Sequence, residues 1–185
     1  MRRLSLLFLA GLLLFPSGAS ADWEEYMYQD LGIAKEFPDP PSVTVGTYQT
    51  EVAGSGSVPS RIFSVELDNI LYSMTIADLS PEYVARGANM FSECIYRAES
   101  EGTVLAKMPQ RVEDGVGYRV YGHLTSVELA GGRGRKQTNC FVTKGHLYKI
   151  ETLVRPEHGL ANTSQAIRFS TSLRFRIDGT TYQAP

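Results

Sequence analysis

The stretch Thr138-Asn139-Cys140-Phe141-Val142-Thr143-Lys144-Gly145-His146-Leu147-Tyr148-Lys149-Ile150-Glu151-Thr152-Leu153-Val154-Arg155 decides the fold class. Its first six residues read as a strand, with Cys140 and Val142 on one face. Lys144-Gly145 turns the chain. Beyond it Tyr148, Ile150, Thr152 and Val154 alternate with Lys149, Glu151 and Arg155. A period of two on both sides of a short turn is the mark of paired antiparallel strands.

Upstream, Val116, Tyr118, Val120 and Leu124 share one face of a strand and Arg119, Tyr121 and His123 the other. The loop Gly131-Gly132-Arg133-Gly134-Arg135-Lys136 then forms the tip of a long hairpin. Thr103 to Val112 is a further strand. Proline cannot donate to a ladder, so Pro109 makes it an edge or bent strand, closed by the turn Asp114-Gly115. Before it lies a helix, with Ser80 as cap, Pro81 at its first position and Glu82 against its dipole. Val84, Ala88, Phe91, Ile95 and Ala98 give it one apolar stripe, Cys94 sits at the stripe's edge, and Gly102 ends it.

Nearer the N-terminus, Trp23 to Tyr28 is aromatic and acidic, and Ile33 to Phe37 is a short strand stopped by Pro38-Asp39-Pro40-Pro41. Ser42 to Thr50 is another strand, with Val43, Val45 and Thr47 on one side. Arg61 to Leu67 and Leu71 to Ala77 pair as a hairpin about Asp68-Asn69, the first with an ambiguous face. At the other end, Asn162-Thr163-Ser164-Gln165 resembles a capping box. It opens a second helix to about Ser172, with Ala166, Ile167, Phe169 and Ser170 toward the core. Leu173, Phe175 and Ile177 then form a last strand. Strands do not alternate regularly with helices, which argues against a doubly wound parallel sheet. The expectation is α+β: one twisted, mainly antiparallel sheet flanked by two helices.

The first 21 residues read as an export signal. Arg2 and Arg3 precede an apolar run from Leu4 to Phe15, Pro16 and Gly18 break it, and Ala19-Ser20-Ala21 fits the small-x-small cleavage rule. The run is shorter than the roughly 20 residues a spanning helix needs. The organisation expected is a signal peptide over 1–21, one globular domain over 22–178 and a tail over 179–185. The mature chain begins at Asp22, has no transmembrane segment and is periplasmic or secreted. Without Arg2 and Arg3 the balance is 16 basic against 20 acidic side chains, a charge of −4, which argues against nucleic-acid binding.

Cys94 and Cys140, the only cysteines, allow one intramolecular bridge in an oxidising compartment. Two buried free thiols are the alternative. A reactive thiol has no C-x-x-C or Cys/His pattern behind it. His123, His146 and His158 do not follow zinc spacing, although His146 falls on a strand that could lie beside that of His123. Ser55 lacks the context of a nucleophile elbow, and Glu24-Glu25 and Glu113-Asp114 read as surface carboxylates. No catalytic residue, metal ligand or cofactor site is assigned. The remaining candidate is the cationic group Arg133, Arg135 and Lys136, in a glycine-rich loop that lacks the phosphate-loop pattern but can meet an anion or acidic partner.

In this order of elements the chain resembles the Mog1/PsbP-like α/β domains of small exported proteins. The matching features are a leading Trp23 with Tyr26, a strand ending at Phe37-Pro38-Asp39-Pro40-Pro41, then strands, one amphipathic helix, a meander and a closing helix-strand unit from Ala166 to Phe175. The resemblance implies an accessory or protein-binding domain without catalysis, and it carries over no functional residue. The reading is therefore an exported domain that binds a protein or an anionic envelope component. The rivals are a small-ligand carrier with an apolar pocket between sheet and helix, and an enzyme whose site is assembled from residues distant in sequence.

Overall fold

A computed structural model describes residues 22–50, 56–79, 87–113, 117, 119–156 and 163–175. The leader, Ser55, the cap at Ser80-Pro81-Glu82, Val84, the turn at Asp114-Gly115, Tyr118, His158, Asn162, Ile177 and the tail lie outside these residues. Ten strands are described: β1 Glu24–Tyr28, β2 Ile33–Phe37, β3 Ser42–Gln49, β4 Ser57–Leu67, β5 Ile70–Asp78, β6 Gly102–Glu113, β7 Arg119–Leu129, β8 Arg135–Thr143, β9 His146–Val154 and β10 Arg174–Phe175. Two helices accompany them, α1 Gly87–Ser100 and α2 Ser164–Thr171.

The strands form two sheets rather than the single one expected. Seven run in the order β3-β4-β5-β9-β8-β7-β6 and three in the order β1-β2-β10, every pair antiparallel. The class is α+β. The decisive hairpin closes at Lys144 (φ 49°) and Gly145 (φ 77°), and the β4–β5 hairpin at Asp68 (φ 50°) and Asn69 (φ 60°). Two central residues with positive φ make the turn whose twist matches that of paired strands.

Both faces of the large sheet are covered, and β8 divides the work. Its Cys140 and Val142 face α1, in a cluster with Val58, Ala77, Met90 and Leu147. Its Phe141 packs on Phe175 of β10, and Asn139 donates to the Ser170 carbonyl of α2 at 3.1 Å. That second face holds the larger core, in which Phe37, Tyr72 and Phe169 meet edge to face at 5.2 and 5.3 Å. The ambiguous face of β4 resolves here, because Phe63 and Val65 belong to the larger core. Gly122 is forced by this packing, since a Cβ there would run into the Phe141 ring.

Four local expectations need correction. Glu24–Tyr28 is a strand whose Tyr26 and Tyr28 lean, partly buried, on the larger core while Glu24, Glu25 and Met27 are exposed. The buried stripe of α1 is Met90, Cys94 and Ala98, with Phe91 and Ile95 only partly buried. Cys94 is central because its sulfur is bonded to the sheet. In α2, Thr163 caps the helix by accepting from the Ala166 N–H, Ala166 and Phe169 are buried, and Ile167 points outward at 48% exposure. Eight residues leave room for a single i, i+3 pair on the core side. Finally, β6 is an edge strand as Pro109 suggested, but its irregularity lies between Val104 and Ala106.

Lys35 joins the small sheet to α2. It shares a strand face with Ile33 and Phe37 and is fully buried. Its amine donates to the Phe169 carbonyl and to Ser172 Oγ (2.7 Å), and lies 3.8 Å from the centre of the Phe169 ring. A cation is favoured over a helix C-terminus and an aromatic face. Complete withdrawal from water opposes it more strongly, and the amine is held well below its ordinary 10.5, with Glu36 pulling the other way. Arg168 clamps the outer side of the same joint, 4.8 Å from the Trp23 ring centre and 2.6 Å from Glu36.

An unfolded lysine binds a proton that this native amine resists. Stability therefore rises with pH between the lowered native value and 10.5. Above pH 10 it falls again, because burial holds Tyr28, Tyr48, Tyr72 and Tyr148 up at about 12 while the unfolded phenols ionise. Lys35→Met should keep the fold at a cost below about 1.5 kcal/mol and abolish the rise while leaving the fall. Urea unfolding of both proteins from about pH 7 to about pH 11 measures it.

Candidate functional site

The β7–β8 hairpin carries the cations singled out by sequence, and the structure separates them. The tip is tight: Gly131 and Gly132 have φ of 72° and 67°, and the Leu129 N–H donates to the Gly134 carbonyl at 2.9 Å. Arg133 is exposed there, its Nε donating to the Ala130 carbonyl at 3.0 Å. Arg135 and Lys136 are not in the loop. They are the first two residues of β8, and successive strand residues point to opposite faces.

Lys136 turns toward the α1 side. Its ammonium lies 2.7 Å from Glu101 and 2.6 Å from Glu151, and Glu151 also holds Lys149 at 2.9 Å. Burial alone would lower the Lys136 ammonium, but Glu151 and Glu101 outweigh it and the net direction is up. Burial alone would raise the Glu151 carboxyl, but Lys149 and Lys136 outweigh it and the net direction is down. Each charge thus stabilises the others where water is scarce, which is a structural role. Lys136 is thus engaged with Glu101 and Glu151, on the face opposite Arg135.

Arg135 turns to the other face, where its guanidinium lies 4.0 Å from Glu128, the residue opposite it on β7. There it lines an open depression of about 310 Å³. Leu105, Ala106, Met108 and Leu124 supply apolar walls, and Ser126 and Gln137 supply polar ones. Leu105 sits at the β6 irregularity, between the paired residues Val104 and Ala106, which helps expose it. Met108 is 46% exposed. Sequence reading placed β6 at an edge but did not see that its apolar side chains and Arg135 share a concavity. The sequence held no signal for it, since Leu105 and Met108 read as ordinary strand residues. What this arrangement offers is contact chemistry: apolar area, a hydroxyl, an amide and a guanidinium.

The other candidates resolve plainly. Cys94 and Cys140 form a disulfide with Cα atoms 6.2 Å apart, and both residues are buried. A bridge closing so long a loop contributes about 4 kcal/mol in the chain-entropy account. His123 and His146 do not share a site, because β8 lies between their strands. His123 is opposite Cys140, toward α1, whereas His146 is opposite Thr143 on the other parity, 3.2 Å from Asp78. Among the described residues no group of three or more His, Cys, Asp or Glu could hold a metal ion, and no helix is long and apolar enough to cross a membrane.

Neither a protein-family model nor a curated protein sequence matches this chain.

The different roles of the three cations can be measured. Lys136→Ala should cost about 2 kcal/mol, because it strips partners from Glu151 and Glu101. Arg133→Ala should change stability by less than about 0.5 kcal/mol. The Lys136→Ala loss should shrink as pH falls through the depressed Glu151 value, where protonation removes the attraction in both proteins. Denaturant unfolding of both variants at neutral and acid pH distinguishes these outcomes.

Proposed function

We propose that this chain is an exported, non-catalytic accessory domain that binds a protein or an anionic envelope component through the β6–β8 depression and the Arg133/Arg135 corner above it. The observation that carries the reading is the meeting of Arg135 with exposed Leu105 and Met108 around one concavity. Arginine and methionine are enriched in interfaces, where an apolar floor supplies area and a guanidinium fixes orientation. The buried disulfide supports an oxidising compartment, in keeping with the leader over 1–21. The layered order of hairpins, one helix on each side and a closing helix-strand unit is compatible with a Mog1/PsbP-like domain.

The same lining favours one second reading, a carrier of small apolar carboxylates. A volume of about 310 Å³ is near the lower end for ligand pockets, roughly 300–1,000 Å³. On this reading the ligand lies against the open sheet surface and not between sheet and helix.

The test is crosslinking capture from the native envelope, comparing the chain with its Arg133→Glu/Arg135→Glu variant. Capture should fall several-fold on charge reversal, and the fall should be larger at low salt. Equal capture removes the corner from the argument. Recovery of full-length chain in the cytosol with two free thiols would overturn the exported reading itself.

A further inference from the structure

We infer that β3 is a pairing edge for a second copy of this chain, joining two seven-stranded sheets through antiparallel β3–β3 contact across a twofold axis. Among the described residues the large sheet has two edges, β6 and β3, and they are built differently. The β6 edge is guarded. It carries an irregularity between Val104 and Ala106, a proline at 109, and the charged residues Lys107, Arg111 and Glu113. Such features prevent strand addition at exposed edges. β3, with the sequence Ser-Val-Thr-Val-Gly-Thr-Tyr-Gln, has no proline and no charge, and its register with β4 runs without a break from Ser42 opposite Ser64 to Gln49 opposite Ser57.

Two further observations single out this strand. Ser42 to Thr47 are all exposed, with Val43 at 56% and Val45 at 79%, so among the described residues the paired neighbour β4 is almost all that holds them. Gly46 sits mid-strand, where glycine weakens pairing, yet its φ is not in the positive range and a Cβ there would meet no described atom within 4 Å. Nothing described in this chain requires a glycine at that position. Without a Cβ the middle of β3 is bare on the α1 face, and its main chain is weakly held until the edge is paired.

The chemistry points to a second copy as the occupant. Unpaired main-chain groups are satisfied by another strand, and an uncharged strand gains nothing from a charged peptide. The nearest cation one strand inward, Arg61, is neutralised by Asp30 at 2.6 Å. Two copies therefore meet along β3 without like charges opposed. A twofold axis normal to the sheet keeps the faces aligned. Centred on Val45, it sets Val45 against its own symmetry mate and Gly46 against Thr44. Because the β6 edge is guarded, association closes at two copies and does not continue into a filament.

The test is sedimentation of the purified chain from about 1 µM to about 200 µM, with hydrogen exchange at both ends of that range. A monomer–dimer equilibrium is expected, with the β3 amides slowing as the dimer fills. Val45→Lys places two ammonium groups face to face and should weaken dimerisation by about tenfold or more. Val45 is exposed, so the fold should survive, as circular dichroism checks. Tyr96→Lys, which adds the same charge on the exposed side of α1, should leave dimerisation unchanged. A monomer throughout the range overturns the inference, as does a dimer indifferent to Val45→Lys. Protection of β3 that appears only when another protein or peptide is added assigns the edge to that partner and also overturns it.

Discussion

The bond between Cys94 and Cys140 constrains how both faces of the large sheet can be used. Residues along a strand alternate, so fixing Cys140 toward α1 obliges Asn139 and Phe141 to face the other way. There they meet Ser170 of α2 and Phe175 of β10. A slip of one residue in β8 would bury Lys136 in the larger core and remove it from Glu101 and Glu151. The disulfide is thus a register pin as well as a cross-link. It holds α1 on one face while the small sheet and α2 close the other, and both apolar clusters depend on that arrangement.

The elements legible in the sequence were those with one dominant period and strong punctuation. The Thr138–Arg155 hairpin was read with its faces because its turn leaves little freedom of register. β4 was read as a strand but not oriented, since Ile62 beside Phe63 blurs alternation in a sheet covered on both sides. β1 was missed because Tyr26 and Tyr28 are only partly buried and exposed Glu24 shares their side, which blurs the alternation. The division into two sheets was not legible at all. It depends on β10 returning over Ile33 and Ala34, a contact between segments about 140 residues apart.

The site was half legible. Arg133 and Arg135 could be named from the glycine-rich cationic run Gly131 to Lys136, but grouping them with Lys136 treated three neighbours as one patch. The strand begins at Arg135, three residues before Thr138, and that shift sets Arg135 and Lys136 on opposite faces, with Lys136 in an internal charge network. The apolar lining was invisible for a different reason. Leu105 and Met108 look like ordinary strand residues, and only the position of β6 at the end of the sheet leaves them uncovered.

Lys35 gives the molecule an internal gauge of its own breathing. Its amine is sealed beneath the end of α2, out of reach of acylating reagents. Surface lysines would be modified promptly, while Lys35 could react only in the fraction of molecules in which α2 has lifted from β2. Its slow acylation would therefore report, at one site and without an engineered probe, how often the joint between the small sheet and the last helix comes apart.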